Sequence, residues 1–129
     1  MAKALVSATG IFFILYGAVF TFFPSEIAIL VTDAAPSTHS ALIDMRATYG
    51  GMSIAVGVTI LLLAFRSELM GQALLVTGIV LLAMAASRIL GMIIDGTPNI
   101  FMYIYLAAEL LFGVTAVLLR NTAQSERDA

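Results

Sequence analysis

The chain has 129 residues, of which 61% are hydrophobic and 11% are charged, and its mean hydropathy is +1.07. A soluble domain has about 45–50% apolar and about 25% charged residues, so this composition predicts a membrane protein with a single domain. The net charge of -2 argues against nucleic acid as a partner, and the absence of cysteine excludes disulfides and Cys-bound metals. His39 is the single histidine, so neither a metal nor another cofactor is expected.

Four apolar runs are each long enough to cross a bilayer as a helix, which takes about 20 residues. They cover residues 4–23, 47–65, 73–94 and 100–119. None shows the alternating pattern of a membrane barrel, and only helices or closed barrels satisfy the backbone in lipid. The sequence therefore predicts an all-α integral membrane protein, a four-transmembrane-helix bundle over residues 1–120 with a polar cytoplasmic tail over 121–129.

The distribution of Lys and Arg predicts the orientation of this bundle. Lys3, Arg66, Arg120 and Arg127 lie at the two termini and in the second connection. The first and third connections contain neither residue type. Because positive charge stays in the cytoplasm, we expect both termini inside and the first and third connections outside.

The first outer connection, residues 24–44, is the longest. Ser25-Glu26 precedes an apolar stretch and could cap a short interfacial helix. A turn is expected at residues 32–36, after which the second long helix could start early, at residues 37–40. His39 is then a loop residue or a helix start rather than a proton relay.

Pairs of glycines seven residues apart occur on three of the predicted helices. They are Gly10 with Gly17, Gly50 with Gly57, and Gly71 with Gly78. Residues at this spacing return to the same helix face, so small residues repeat along one side of each helix. This pattern predicts close, left-handed helix packing.

Two charged residues lie inside apolar runs. At about 1.5 Å per residue, Glu109 lies roughly 14 Å from the outer end of the fourth helix, and Arg88 lies about 9 Å from that of the third. An unpaired charge at mid-bilayer costs about 2.5–3.5 kcal/mol. Because only the short turn 95–99 joins these helices, we predict that Arg88 and Glu109 form an ion pair.

Further polar residues could join this pair in an outward-opening pocket. Arg46 and Tyr49 share a face of the second helix, Tyr105 and Glu109 share a face of the fourth, and Asp95 lies two turns beyond Arg88. The candidate ligand-binding residues are Arg46, Tyr49, Arg88, Asp95, Tyr105 and Glu109. Simpler interpretations stay open: Arg46 could snorkel to the interface, Asp95 could serve the turn, and the ion pair could clamp the fold.

Four strings give the chain a family resemblance. They are residues 44–51 (DMRATYGG), 87–91 (SRILG), 95–98 (DGTP) and Glu109-Leu110. With them the chain resembles, from Gly10 to Leu119, the bacterial family of small membrane proteins numbered 4345 among the domains of unknown function (DUF4345). The resemblance implies a multi-pass protein of the bacterial inner, or cytoplasmic, membrane and supplies no activity.

Three functions are compatible with these features. The first is a non-enzymatic helper that binds membrane-protein partners within the lipid bilayer. The alternative is a small-ligand or lipid carrier, which would act as a homodimer, bind an anionic or amphiphilic ligand at Arg46 and Arg88, and take up a proton at Glu109. An intramembrane lipid-modifying enzyme ranks last, because no nucleophile, metal or phosphate-loop motif is present, and no catalytic residue is assigned.

Overall fold

The computed structural model describes residues 1–128, and the side chains of residues 1–122. Helix α1 covers Ala2–Phe22, α2 covers Pro24–Thr32, α3 covers His39–Ala64, α4 covers Met70–Asp95 and α5 covers Ile100–Asp128. A 3-10 turn at Ser67–Leu69 precedes α4. All but α2 are long and apolar enough to cross a membrane, which confirms the four predicted runs.

The fourth long helix continues beyond its predicted end at residue 119, because α5 stays helical to Asp128. The predicted tail over 121–129 therefore has a helical backbone as far as it is described. Ala129 lies outside the described residues, as do the side chains from residue 123 onward. The domain boundary at residue 120 and the cytoplasmic location of the tail stay predictions.

The four long helices pack as two antiparallel pairs, α1 with α3 and α4 with α5. In the first pair the predicted glycines face each other directly. A Cβ on Gly57 would lie 2.5 Å from the Gly10 carbonyl oxygen, and one on Gly17 would lie 2.6 Å from the Gly50 carbonyl oxygen. Such distances are too short for any side chain, so this close approach requires glycine.

The second pair uses its glycines differently. Gly78 packs against Val117, and Gly113, which the spacing did not point to, packs against Leu82. Nothing lies within 4 Å of a Cβ built on Gly71. The prediction that Gly71 contributes to close packing is therefore wrong, because this residue lies at the start of α4, where no helix faces it.

One apolar core joins the two pairs. Its buried members are Val6, Ile60, Ala64, Ala73, Leu74 and Ala116. They come from the start of α1 and α4 and from the later parts of α3 and α5. We call this the far end, and we call the opposite end, with connections 23–38 and 96–99, the loop end.

Connection 23–38 contains the predicted short helix, α2. It begins at Pro24 after Phe23, and Phe23 makes no side-chain capping bond. Ser25 therefore lies inside the helix and is not its cap. Because proline at the first helical position has no N–H, the start of the helix has one donor fewer to satisfy. At the start of α3, the Ala41 N–H donates to the Thr38 hydroxyl over 3.1 Å, and His39 is the first helical residue. The early start of the second long helix is thus confirmed.

Helix α3 contains a π-helical segment at Arg46–Gly51, which no sequence pattern predicted. Segments of this kind insert an extra residue in one turn and are frequent at functional sites. Gly50 is buried in it, and a Cβ there would collide with the Thr21 hydroxyl of α1. The segment therefore lies where α3 packs tightly against the end of α1.

Candidate functional site

Arg88 and Glu109 form the predicted ion pair between α4 and α5. The Arg88 Nη2 donates to Glu109 Oε1 over 2.6 Å, and Nε donates to Oε2 over 3.0 Å. Only 6% of the Glu109 side chain and 19% of the Arg88 side chain is exposed. A bidentate pair fixes both the position and the plane of the guanidinium.

A short, well-capped turn brings these two helices together. Gly96 adopts a φ of 100°, which favours glycine, and ends α4. The Asn99 side-chain oxygen then accepts from the N–H groups of Phe101 and Met102, over 3.1 and 3.4 Å. These bonds satisfy donors that a helix start leaves free. The α4–α5 hairpin is therefore fixed near the site.

Asn99 also ties this turn to α2. Its amide nitrogen donates to the Val31 carbonyl over 2.9 Å and to the Asp33 carboxylate over 2.7 Å. Sequence reasoning missed both Asn99 and Asp33. The position of Asn99 just before a helix signals a cap, but nothing in the sequence indicates a partner on α2.

The remaining part of the guanidinium contacts α5. Arg88 Nη1 donates to the Met102 sulfur over 3.0 Å, and the guanidinium carbon lies 5.3 Å from the centre of the Tyr105 ring. A cation over an aromatic face is stabilised by the ring quadrupole. A thioether sulfur is a weak acceptor, so Nη1 is the least well satisfied part of the group.

Next to Arg88, an open crevice lies between α4 and α5 at the loop end. Its volume is about 350 Å³. Its lining residues are Arg88, Gly91, Met92, Asp95, Gly96, Thr97, Pro98 and Met102. We call it the loop-end crevice. It contains two of the predicted site residues, Arg88 and Asp95.

Arg46 does not join this group. Its Nη1 donates to the carbonyl of Thr21, in the last turn of α1. Carbonyls in that turn lack helical partners, and a cation near a helix C-terminus is favourable. The prediction of one pocket with both arginines is therefore wrong: among the described side chains, Arg46 makes no bond to Arg88, Asp95 or Glu109.

A series of aromatic rings connects Tyr49 with Tyr105. Tyr105 contacts Tyr16 edge-on at 6.4 Å, Tyr16 contacts Phe20 at 4.8 Å, and Phe20 stacks on Tyr49 at 5.3 Å between ring centres. Sequence reasoning missed Tyr16 and Phe20. Their spacing of four residues on α1 could have indicated a shared face, because residues four apart are neighbours on a helix.

A second, apolar groove is lined in part by Tyr105. Its volume is about 220 Å³. It runs between α1, α2 and α5, and its lining residues are Phe12, Leu15, Tyr16, Val19, Ile27, Leu30, Val31, Phe101 and Tyr105. It contains no charged residue. Tyr105 lines this apolar groove and also contacts Arg88, which lines the loop-end crevice.

Comparison with known proteins gives one result. A family model described as "Domain of unknown function (DUF4345)" matches residues 1–120. No curated protein matches the chain, and no solved structure matches it. The match covers every residue of the site described above.

Proposed function

We propose a ligand-binding function for this chain, which belongs to the DUF4345 family, a family defined by a domain of unknown function. The ligand lies in the loop-end crevice and presents an oxygen acceptor to Arg88. One observation carries the proposal: Nε and Nη2 of Arg88 bind Glu109, whereas among the described side chains the partner of Nη1 is the Met102 sulfur alone. An oxygen acceptor in the crevice would replace a weak acceptor by a strong one.

The ion pair and the ligand site are compatible uses of one arginine. Glu109 holds two of the three guanidinium nitrogens and compensates the charge, so Arg88 is stable without a ligand. The third nitrogen contacts the Met102 sulfur, and both Arg88 and Met102 line the crevice. The structural clamp therefore orients the group that binds, and a preorganised donor loses little freedom on binding.

In this proposal the protein crosses the bacterial inner membrane several times, with its termini in the cytoplasm. The four long apolar helices support the crossing. Positively charged residues lie at the far end, namely Lys3, Arg66 and Arg120. They support an orientation with the far end in the cytoplasm and the crevice outside. Transport of the ligand across the bilayer would need a homodimer. The role of a helper that binds membrane-protein partners stays a prediction, and no contact among the described residues favours it.

Octyl phosphate, titrated calorimetrically into the protein in maltoside micelles, tests the proposal. The Gly91→Leu variant fills the crevice, because a Cβ at Gly91 points toward Asp95, 3.7 Å from its Oδ2. Gly71→Leu is the matched control on the same helix, where nothing lies within 4 Å. We expect binding by the wild type and the control and at least about tenfold weaker binding by Gly91→Leu, since one good hydrogen bond to a charged group is of that size.

Unchanged affinity in Gly91→Leu would overturn the site. A wild-type protein that does not bind octyl phosphate would overturn the function itself. The thermal unfolding midpoint of each variant checks that the helices remain packed.

A further inference from the structure

The loop-end crevice carries a second charge, and we infer that its ligand is a zwitterion. A phosphodiester oxygen accepts from Arg88 Nη1, and a primary ammonium group donates to Asp95. This inference rests on the proposed function and names the ligand class of the same site.

The positions of the two charges support a ligand with two poles. Asp95 lies seven residues beyond Arg88, about 10 Å along the helix at about 1.5 Å per residue. Both line the crevice, and Gly91 between them has no side chain to fill it. Among the described residues, no group donates a hydrogen bond to the Asp95 carboxylate. The side-chain hydrogen bonds near the crevice are made by Arg88, Asn99 and Glu109. It is therefore open to a donor.

The balance of charge favours a ligand that carries both charges over a simple anion or a simple cation. The Glu109 carboxylate compensates the positive charge of Arg88. The additional carboxylate of Asp95 therefore gives the surroundings of the crevice a net negative charge. A simple anion would meet the uncompensated carboxylate. A simple cation would offer no acceptor to Arg88 Nη1, which would keep the weak Met102 sulfur as its partner. Only a molecule with both an acceptor and a cationic donor complements both groups.

The lining also favours a primary ammonium over a quaternary one. Quaternary ammonium sites are built from aromatic rings, whereas a primary ammonium needs hydrogen-bond acceptors. The crevice lining has a carboxylate and no aromatic side chain among the described residues. Its volume of about 350 Å³ suits a headgroup rather than a whole lipid, since small-molecule sites span about 300–1,000 Å³.

Phosphoethanolamine has this chemistry, either as a phospholipid headgroup or as a free glycerophosphodiester. The probes are the dihexanoyl forms of phosphatidylethanolamine, phosphatidylglycerol and phosphatidylcholine, titrated into the full chain in maltoside micelles. We expect the ethanolamine lipid to bind about tenfold more tightly than the other two, because one charge-assisted bond to Asp95 is lost in each of them.

The Asp95→Asn variant removes the carboxylate charge and keeps its shape. In this variant the preference for ethanolamine over glycerol should disappear, while Gly71→Leu should keep it. Glycerophosphoethanolamine, which has no acyl chains, distinguishes the sources. Affinity equal to that of the ethanolamine lipid supports a free zwitterion, and binding by the lipid alone supports a headgroup; both support the ligand class.

Three outcomes would overturn the inference. Wild-type protein that binds the glycerol and ethanolamine lipids equally has no zwitterion site, although octyl phosphate binding that is lost in Gly91→Leu would still support the proposed function. A preference for ethanolamine that survives in Asp95→Asn would place the ammonium elsewhere. Failure of octyl phosphate and of all three lipids would remove both proposals.

Discussion

The far end and the loop end are built from the same four helices by different interactions. At the far end the two helix pairs meet through buried apolar residues, such as Val6, Ile60 and Leu74, each at most 1% exposed. At the loop end they meet through aromatic edges, and the α4–α5 pair contains a buried ion pair in which 6% of the Glu109 side chain is exposed. One end is assembled by shape and the other by directional polar contacts.

This difference separates the roles of the two ends. Lipid tails are as apolar as leucine, so packing in a membrane depends on close fit. The buried core of the far end supplies that fit, and its members carry no charge. The loop end buries a carboxylate and a guanidinium that packing does not require, at a cost that apolar residues of similar size would avoid. We therefore assign stability mainly to the far end and ligand binding to the loop end.

The largest effect is expected from breaking the ion pair on one side. Glu109→Ala leaves the Arg88 guanidinium without its charge partner among apolar helices, and removal of one member of a buried pair costs about 3–5 kcal/mol. The free energy of unfolding in detergent should fall by this amount. The double variant Arg88→Met with Glu109→Leu should recover most of the loss and bind no octyl phosphate.

A double variant as unstable as the single one would contradict the separation of roles. It would mean that the pair contributes directional stability that apolar packing cannot replace.

A matched change at the far end should affect stability alone. Leu74 is 1% exposed in the apolar core, and a buried Leu→Ala substitution costs about 2–5 kcal/mol, through lost burial and a cavity. We expect a lower thermal unfolding midpoint for Leu74→Ala. Its affinity for octyl phosphate, measured below that midpoint, should equal that of the wild type. An affinity loss like that of Gly91→Leu would show that the two ends are coupled.

The sequence predicted the parts of the site that chain connectivity decides. Arg88 and Glu109 could be paired because a short turn joins their helices and the long arginine side chain covers much of their difference in depth. Gly10, Gly17, Gly50 and Gly57 could be assigned to packing faces from their spacing. In each case the pattern within the helices carries the information.

The missed features depend on contacts between distant segments. The π-helical segment at Arg46–Gly51 accompanies the approach of Gly50 to α1, and the partner of Arg46 is a backbone carbonyl, which no residue type marks. Likewise, the partners of Asn99 lie on and just after α2. The placement of α2 against α5 is not encoded in any local pattern.

The smallest effect is expected from separating α2 from the loop end. Asn99→Ala removes the α5 cap, which contributes about 1 kcal/mol, together with the bonds to α2. Asp33→Gly removes the carboxylate bond of 2.7 Å and leaves the cap intact, and glycine tolerates the φ of 59° at this position, so the variant isolates the carboxylate's part of the contact. We expect Asn99→Ala to lower the unfolding midpoint by a few degrees and Asp33→Gly to lower it less. Hydrogen exchange should rise in α2 in both variants and stay unchanged at the far end. If exchange also rose around Leu74, the apolar core would depend on the loop end, and the two regions would unfold as one.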